Sequence, residues 1–191
     1  MKKSLKVLGV IVPVSLILTL MVGLVLFFTP MGCPTINAGT NGFGIFDMRF
    51  SYTADNVMTV FSHYIGDLHN DWNTYYFIDF VFAIFCGIYM FTMPLYLYIK
   101  KDKWYLVYRT ALFSAIAATF FNIMENILIL RLMNITPLFS EGEADIASGM
   151  TSLKWVFIGL WAAATVIILL ISLFGSKKRK SKKRKGRYTK H

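Results

Sequence analysis

Four apolar runs divide the chain: Val7–Phe28, Tyr76–Ile99, Leu106–Leu130 and Leu153–Phe174. A helix needs about 20 mostly apolar residues to cross the hydrocarbon core of a bilayer, and each run reaches that length. Helices satisfy all their backbone groups internally, so they suit lipid where irregular chain does not. The pattern predicts an all-α transmembrane four-helix bundle. Within each run, residues four apart share a helix face. Those faces carry Ser15, Thr19 and Gly23 in span one, and Asp79, Ala83 and Gly87 in span two. Span three has Ser114, Ala118, Asn122 and Asn126, flanked by Ala111, Ala115 and Glu125. Span four has Gly159 and Ala163 with Ala162 adjacent. Small and polar residues let membrane helices approach closely and hydrogen-bond, so each row is expected to face inward. Pro13 and Pro94 are the expected kink positions.

The connection 29–75 is long for a plain loop. Residues 35–44 are rich in Gly and Asn and are expected to be irregular. Phe46 to Tyr52 alternates apolar and polar, which predicts an extended segment. Thr53 then offers an N-cap and Asp55 suits the first turn of a helix. Val57, Val60, Phe61 and Tyr64 follow at helical spacing, with Gly66 to end it. This predicts a short amphipathic helix lying on the membrane surface or over the bundle mouth.

Composition agrees with a membrane protein, since 56% of the 191 residues are hydrophobic. The net charge of +10 reports mainly on topology. Lys2, Lys3 and Lys6 precede span one, and Lys100, Lys101, Lys103 and Arg109 surround the turn between spans two and three. Ten further basic residues follow Gly175. The other two loops carry only Arg49, Arg131 and Lys154 beside seven acids. The positive-inside rule therefore puts both termini in the cytoplasm and loops 29–75 and 131–152 outside. Residues 1–175 form the membrane domain, and 176–191 a disordered basic tail expected to touch anionic lipid. No nucleic acid is expected as a partner, whereas membrane lipids and another membrane protein are. The bacterial cytoplasmic membrane is the expected location. Span one is too long for a signal peptide's apolar core and no A-x-A-like site follows, so it is read as uncleaved.

Candidate chemistry is sparse. Cys33 and Cys86 form no C-x-x-C pair. His63 and His69, near Asp67 and Asp71, match no zinc spacing. No nucleophile motif, phosphate loop or cofactor signature is present, so no cofactor or metal is expected. Asp79 and Glu125 are different, because an acid at membrane depth is costly and pairs with something or does chemistry. Span two runs inward and span three outward, which sets both acids at similar depth. Asp79, Asn122, Glu125 and Asn126 are thus expected to form one polar cluster. Arg49 and Arg131 are the leading counter-charges, with Lys154 the remaining basic residue nearby. Three uses stay open: a structural network, a pocket for a small ligand or ion, or a general acid/base pair in a lipid-active enzyme.

Asp47-Met48-Arg49-Phe50-Ser51-Tyr52-Thr53, Tyr75 to Asp79, and Met124-Glu125-Asn126 together resemble a family of bacterial four-helix integral membrane proteins of unknown activity. That likeness consists of a D-x-R-x-x-Y-[ST] loop, a Tyr-x-x-x-Asp start to span two and a Glu-Asn pair in span three. It covers roughly residues 45–130. The resemblance implies topology and site residues, and it implies no activity. The expected function is therefore a structural or accessory membrane protein built around a buried polar network.

Overall fold

The computed structural model describes residues 2–40, 43–62, 67–101 and 105–185. Those residues are helical throughout apart from short turns, with no strand among them. Four long helices carry the fold: α1 (Lys2–Phe28), α4 (Asp67–Lys101), α5 (Tyr105–Ile135) and α6 (Glu141–Lys185). All four are long and apolar enough to cross a membrane. Between α1 and α4 lie α2 (Cys33–Gly39), a 3-10 turn at Phe46–Met48 and α3 (Ala54–Ser62). This connection is called the cap below.

Packing runs from α1 onto α4, from α4 onto α5 and from α5 onto α6. The predicted rows explain the first two contacts. Ser15 and Thr19 are buried, and a Cβ on Gly23 would lie 3.3 Å from the Phe82 ring of α4. On α4, a Cβ at Gly87 would come within 2.4 Å of Thr119 Oγ1, so only glycine permits this approach of α4 to α5. Ala111, Ser114, Ala115 and Ala118 on α5 are buried as the spacing predicts.

Span four differs from its prediction. Gly159, Ala162 and Ala163 are exposed, and a Cβ on Gly159 would meet nothing within 4 Å. The face of α6 turned inward is instead Ala147, Ser148, Thr151, Lys154, Ala164, Thr165 and Ile168. A lysine with buried partners fixes the rotation of this helix more strongly than a row of small residues, because an unpaired ammonium in an apolar setting is far costlier than an exposed glycine.

The ends also differ. Helix α4 starts at Asp67 and α6 at Glu141, each well before its apolar run. These extra turns pack against the cap, which supplies partners where lipid would not. Helix α6 runs through Lys185, and Lys and Arg are good helix formers. In the cap, Cys33–Gly39 is helical rather than irregular, and Phe46–Met48 is a 3-10 turn rather than extended. The predicted N-cap is present as a reciprocal pair. Asn56 N–H donates to Thr53 Oγ1 at 3.3 Å, and Thr53 N–H donates to Asn56 Oδ1 at 3.1 Å. Val57, Val60 and Phe61 are buried, so α3 packs inward over the helices. Tyr64, Gly66 and His63 lie outside the described residues.

An aromatic cluster seats the cap. Phe46 is fully enclosed, with ring centroids of Tyr52 at 4.8 Å, Phe43 at 5.2 Å, Phe61 at 5.4 Å and Trp72 at 5.9 Å. Trp72 in turn stacks on Tyr76 at 5.7 Å. These contacts bring the 3-10 turn, with Asp47 at its centre, down against α4 and α6.

Candidate functional site

The site grows from consecutive positions on α5. Residues 125 and 126 point about 100° apart on a helix, so Glu125 turns to α6 while Asn126 turns to α4. Asn126 donates its Nδ2–H to Asp79 Oδ2 at 2.6 Å, and both residues are buried. This contact and the seating of Gly87 on Thr119 set the antiparallel register of α4 and α5.

On the other side, Lys154 Nζ lies 2.6 Å from Glu125 Oε2 and 3.1 Å from Asp47 Oδ1. All three residues are buried, Glu125 completely. Thr151, one turn before Lys154 on α6, donates to Glu125 Oε1 at 2.6 Å. Tyr75 of α4 donates to Asp47 Oδ2 at 3.1 Å. The Asp47 carbonyl receives Lys154 Nζ at 3.3 Å and Trp155 Nε1 at 3.1 Å. Two successive residues of α6 thus grip one peptide group of the cap. Ser148 and Ser152 extend the seam. Ser148 Oγ accepts the Tyr52 N–H at 2.9 Å, and Ser152 Oγ donates to the Phe50 carbonyl at 2.7 Å.

Tyr52 closes the layer, its hydroxyl 3.4 Å from Thr151 Oγ1. Burial pushes the Tyr52 phenol far above its ordinary range, reinforced by the charges of Glu125 and Asp47, so it stays a neutral hydroxyl. Three buried carboxylates, Asp47, Asp79 and Glu125, therefore share a layer with one ammonium, Lys154.

The sequence-predicted residues separate clearly. Asp79 and Asn126 meet directly, and Glu125 joins the same layer through Lys154 and Thr151. Asn122 lies one turn from Asn126, its Oδ1 enclosed and without a hydrogen-bond partner. Arg49 and Arg131 are not the counter-charges. Arg49 donates to the Phe43 carbonyl and sits 3.8 Å over the Phe43 ring. Arg131 pairs with Glu143 at 2.7 Å, with 65% of its own side chain exposed. Six residues past Glu125 places Arg131 about 120° around α5 from it, which turns it away. Lys154, weighed third in the sequence, takes that role.

Thr151 and Trp155 carry no site reading in the sequence, whereas Asp47, Tyr52 and Tyr75 stand in the motifs of the family resemblance with no role attached to them. For Thr151 a signal existed, because it lies three residues before Lys154 and so shares its face. For Asp47 periodicity gives no signal, since its position depends on how the cap folds. Tyr76 is completely buried, and its hydroxyl has no hydrogen-bond partner among the described residues. Cys33 and Cys86 are free thiols. Among the described residues no three of His, Cys, Asp or Glu converge as metal ligands. His63 and its neighbour Asp67 fall outside what is described of side chains.

No protein-family model matches the chain, and neither a curated protein nor a solved structure does. The family resemblance consequently rests on its short motifs alone.

Proposed function

We propose that the chain is a non-enzymatic integral membrane protein, structural or accessory in role, whose buried polar network fastens the cap to the membrane helices. One observation carries this reading: Lys154 Nζ sits between Glu125 of α5 and Asp47 of the cap, at 2.6 and 3.1 Å. A lysine so placed joins three parts of the chain, and each carboxylate it meets is tied again through its other oxygen, Glu125 by Thr151 and Asp47 by Tyr75. An acid/base pair of Asp79 and Glu125 has less support. Glu125 is fully enclosed with both oxygens engaged, and Asp79 is tied to Asn126.

In this reading both termini face the cytoplasm and the cap faces outside, following the distribution of Lys and Arg. The basic residues from Lys177 onward contact anionic lipid, and the cap offers a face to a membrane protein partner. Glu125→Gln in the full-length protein tests the structural role. It is expected to insert and then to unfold in detergent at a clearly lower temperature than the parent, with the cap more open to protease. Parental stability together with parental protease resistance contradicts the proposal.

A further inference from the structure

The Lys154 network leaves something unanswered between α4 and α5. Asp79 accepts one hydrogen bond, from Asn126. The amide that makes this bond leaves its own Oδ1 fully enclosed with no donor. One turn away on the same face of α5, Asn122 Oδ1 is enclosed and donorless as well. An enclosed acceptor that nothing answers loses the hydrogen bonds it made to water and is costly to bury. The Asp79 carboxylate and two donorless amide oxygens, four residues apart on one face of α5, therefore line the same stretch of the α4–α5 seam.

Charge decides what kind of ligand answers them. Lys154 supplies one positive charge against three buried carboxylates, and its contacts go to Asp47 and Glu125. A water molecule would satisfy the amide oxygens but would leave the charge of Asp79 unbalanced. A divalent ion normally recruits several carboxylates, whereas only Asp79 is present on this side. One carboxylate with neutral oxygens matches a single positive charge.

We propose that Asp79, Asn122 and Asn126 form a site for one hard monovalent metal cation of the sodium class. The Asp79 carboxylate balances the charge, and the amide oxygens replace water in the ion's shell. The Asn126 N–H holds Asp79 in place while its Oδ1 faces the ion. The site is distinct from the Lys154 network and does not depend on that network's role.

The test uses the full-length protein in detergent, with NaCl exchanged for choline chloride at constant ionic strength. Two readouts are taken: the unfolding temperature, and binding of radioactive sodium displaced by unlabelled NaCl. Saturable stabilisation by NaCl and displaceable sodium binding are expected for the parent. Asp79→Asn is expected to abolish both, and Asn122→Leu to weaken sodium binding about tenfold, as loss of one charge-assisted contact implies. Asn122→Leu keeps the charge balance, so it remains informative if Asp79→Asn fails to fold. Equal unfolding temperatures in both salts with no displaceable sodium overturn the proposal. So does stabilisation that appears only on acidification, which assigns a proton to Asp79, and so does sodium binding that Asn122→Leu leaves at parental strength.

Discussion

Replacing Lys154 by Met removes the only ammonium among three buried carboxylates while keeping most of the side-chain volume. Glu125, completely enclosed, and Asp47, 7% exposed, both lose their ion-pair partner. Breaking a buried pair from one side costs about 3–5 kcal/mol. Glu125 keeps the Thr151 hydroxyl at 2.6 Å and Asp47 keeps the Tyr75 hydroxyl at 3.1 Å, so the lower end, about 3 kcal/mol, is expected. At roughly 2–4 °C per kcal/mol for a chain of this size, that corresponds to a fall of about 6–12 °C in unfolding temperature. The loss comes from stranded charge, and this yields a second, sharper expectation. In the triple variant Asp47→Asn, Glu125→Gln, Lys154→Met no charge is stranded, and most of the stability returns. The assay is thermal unfolding of purified full-length protein in one detergent, read by tryptophan fluorescence. A single variant as stable as the parent would mean that no charge is stranded, and a triple variant less stable than the single one would mean that stranded charge is not the source of the loss.

Three further outcomes follow from packing. Gly32→Ala would put a Cβ 2.0 Å from the Leu26 carbonyl oxygen, and backbone cannot yield there; a loss of about 2–4 kcal/mol in unfolding free energy is expected. Phe46→Ala opens a cavity among four aromatic rings and should cost about 3–5 kcal/mol, with the cap becoming protease-sensitive before the helices unfold. Gly87→Leu should prevent α4 and α5 from packing, whereas Gly159→Leu should change stability by no more than about 0.5 kcal/mol, which parallel melting curves would show.

Much of the fold was legible because lipid imposes a simple rule on length. Four runs of sufficient apolar length correspond to four long helices, and rows of small residues on spans one to three lie inward. Span four escaped the rule because its inward face is set by Lys154, Thr151 and Ser148, and polar residues at a helix end resemble a loop flank. The helix extensions at Asp67 and Glu141 escaped for a related reason: they are held by the cap, whose own structure depends on distant contacts. At the site, Asp79 and Asn126 were readable from periodicity on antiparallel helices. The counter-charge was not, because Arg131 is close to Glu125 in sequence while direction around the helix decides which side chain arrives. Asp47 carried no periodic signal at all, and only the seating of Phe46 brings it to Lys154.

Asp47 and Lys154 tie the cap to the helices in the proposed structural role, and a double-mutant cycle reads the coupling between them. Asp47→Asn, Lys154→Met and their combination are compared by unfolding free energy in the full-length protein. A coupling of about 1–3 kcal/mol between the two positions is predicted, as for residues in one buried ion-pair network. Effects that add within about 0.5 kcal/mol would mean the two side chains do not interact, and would contradict the account.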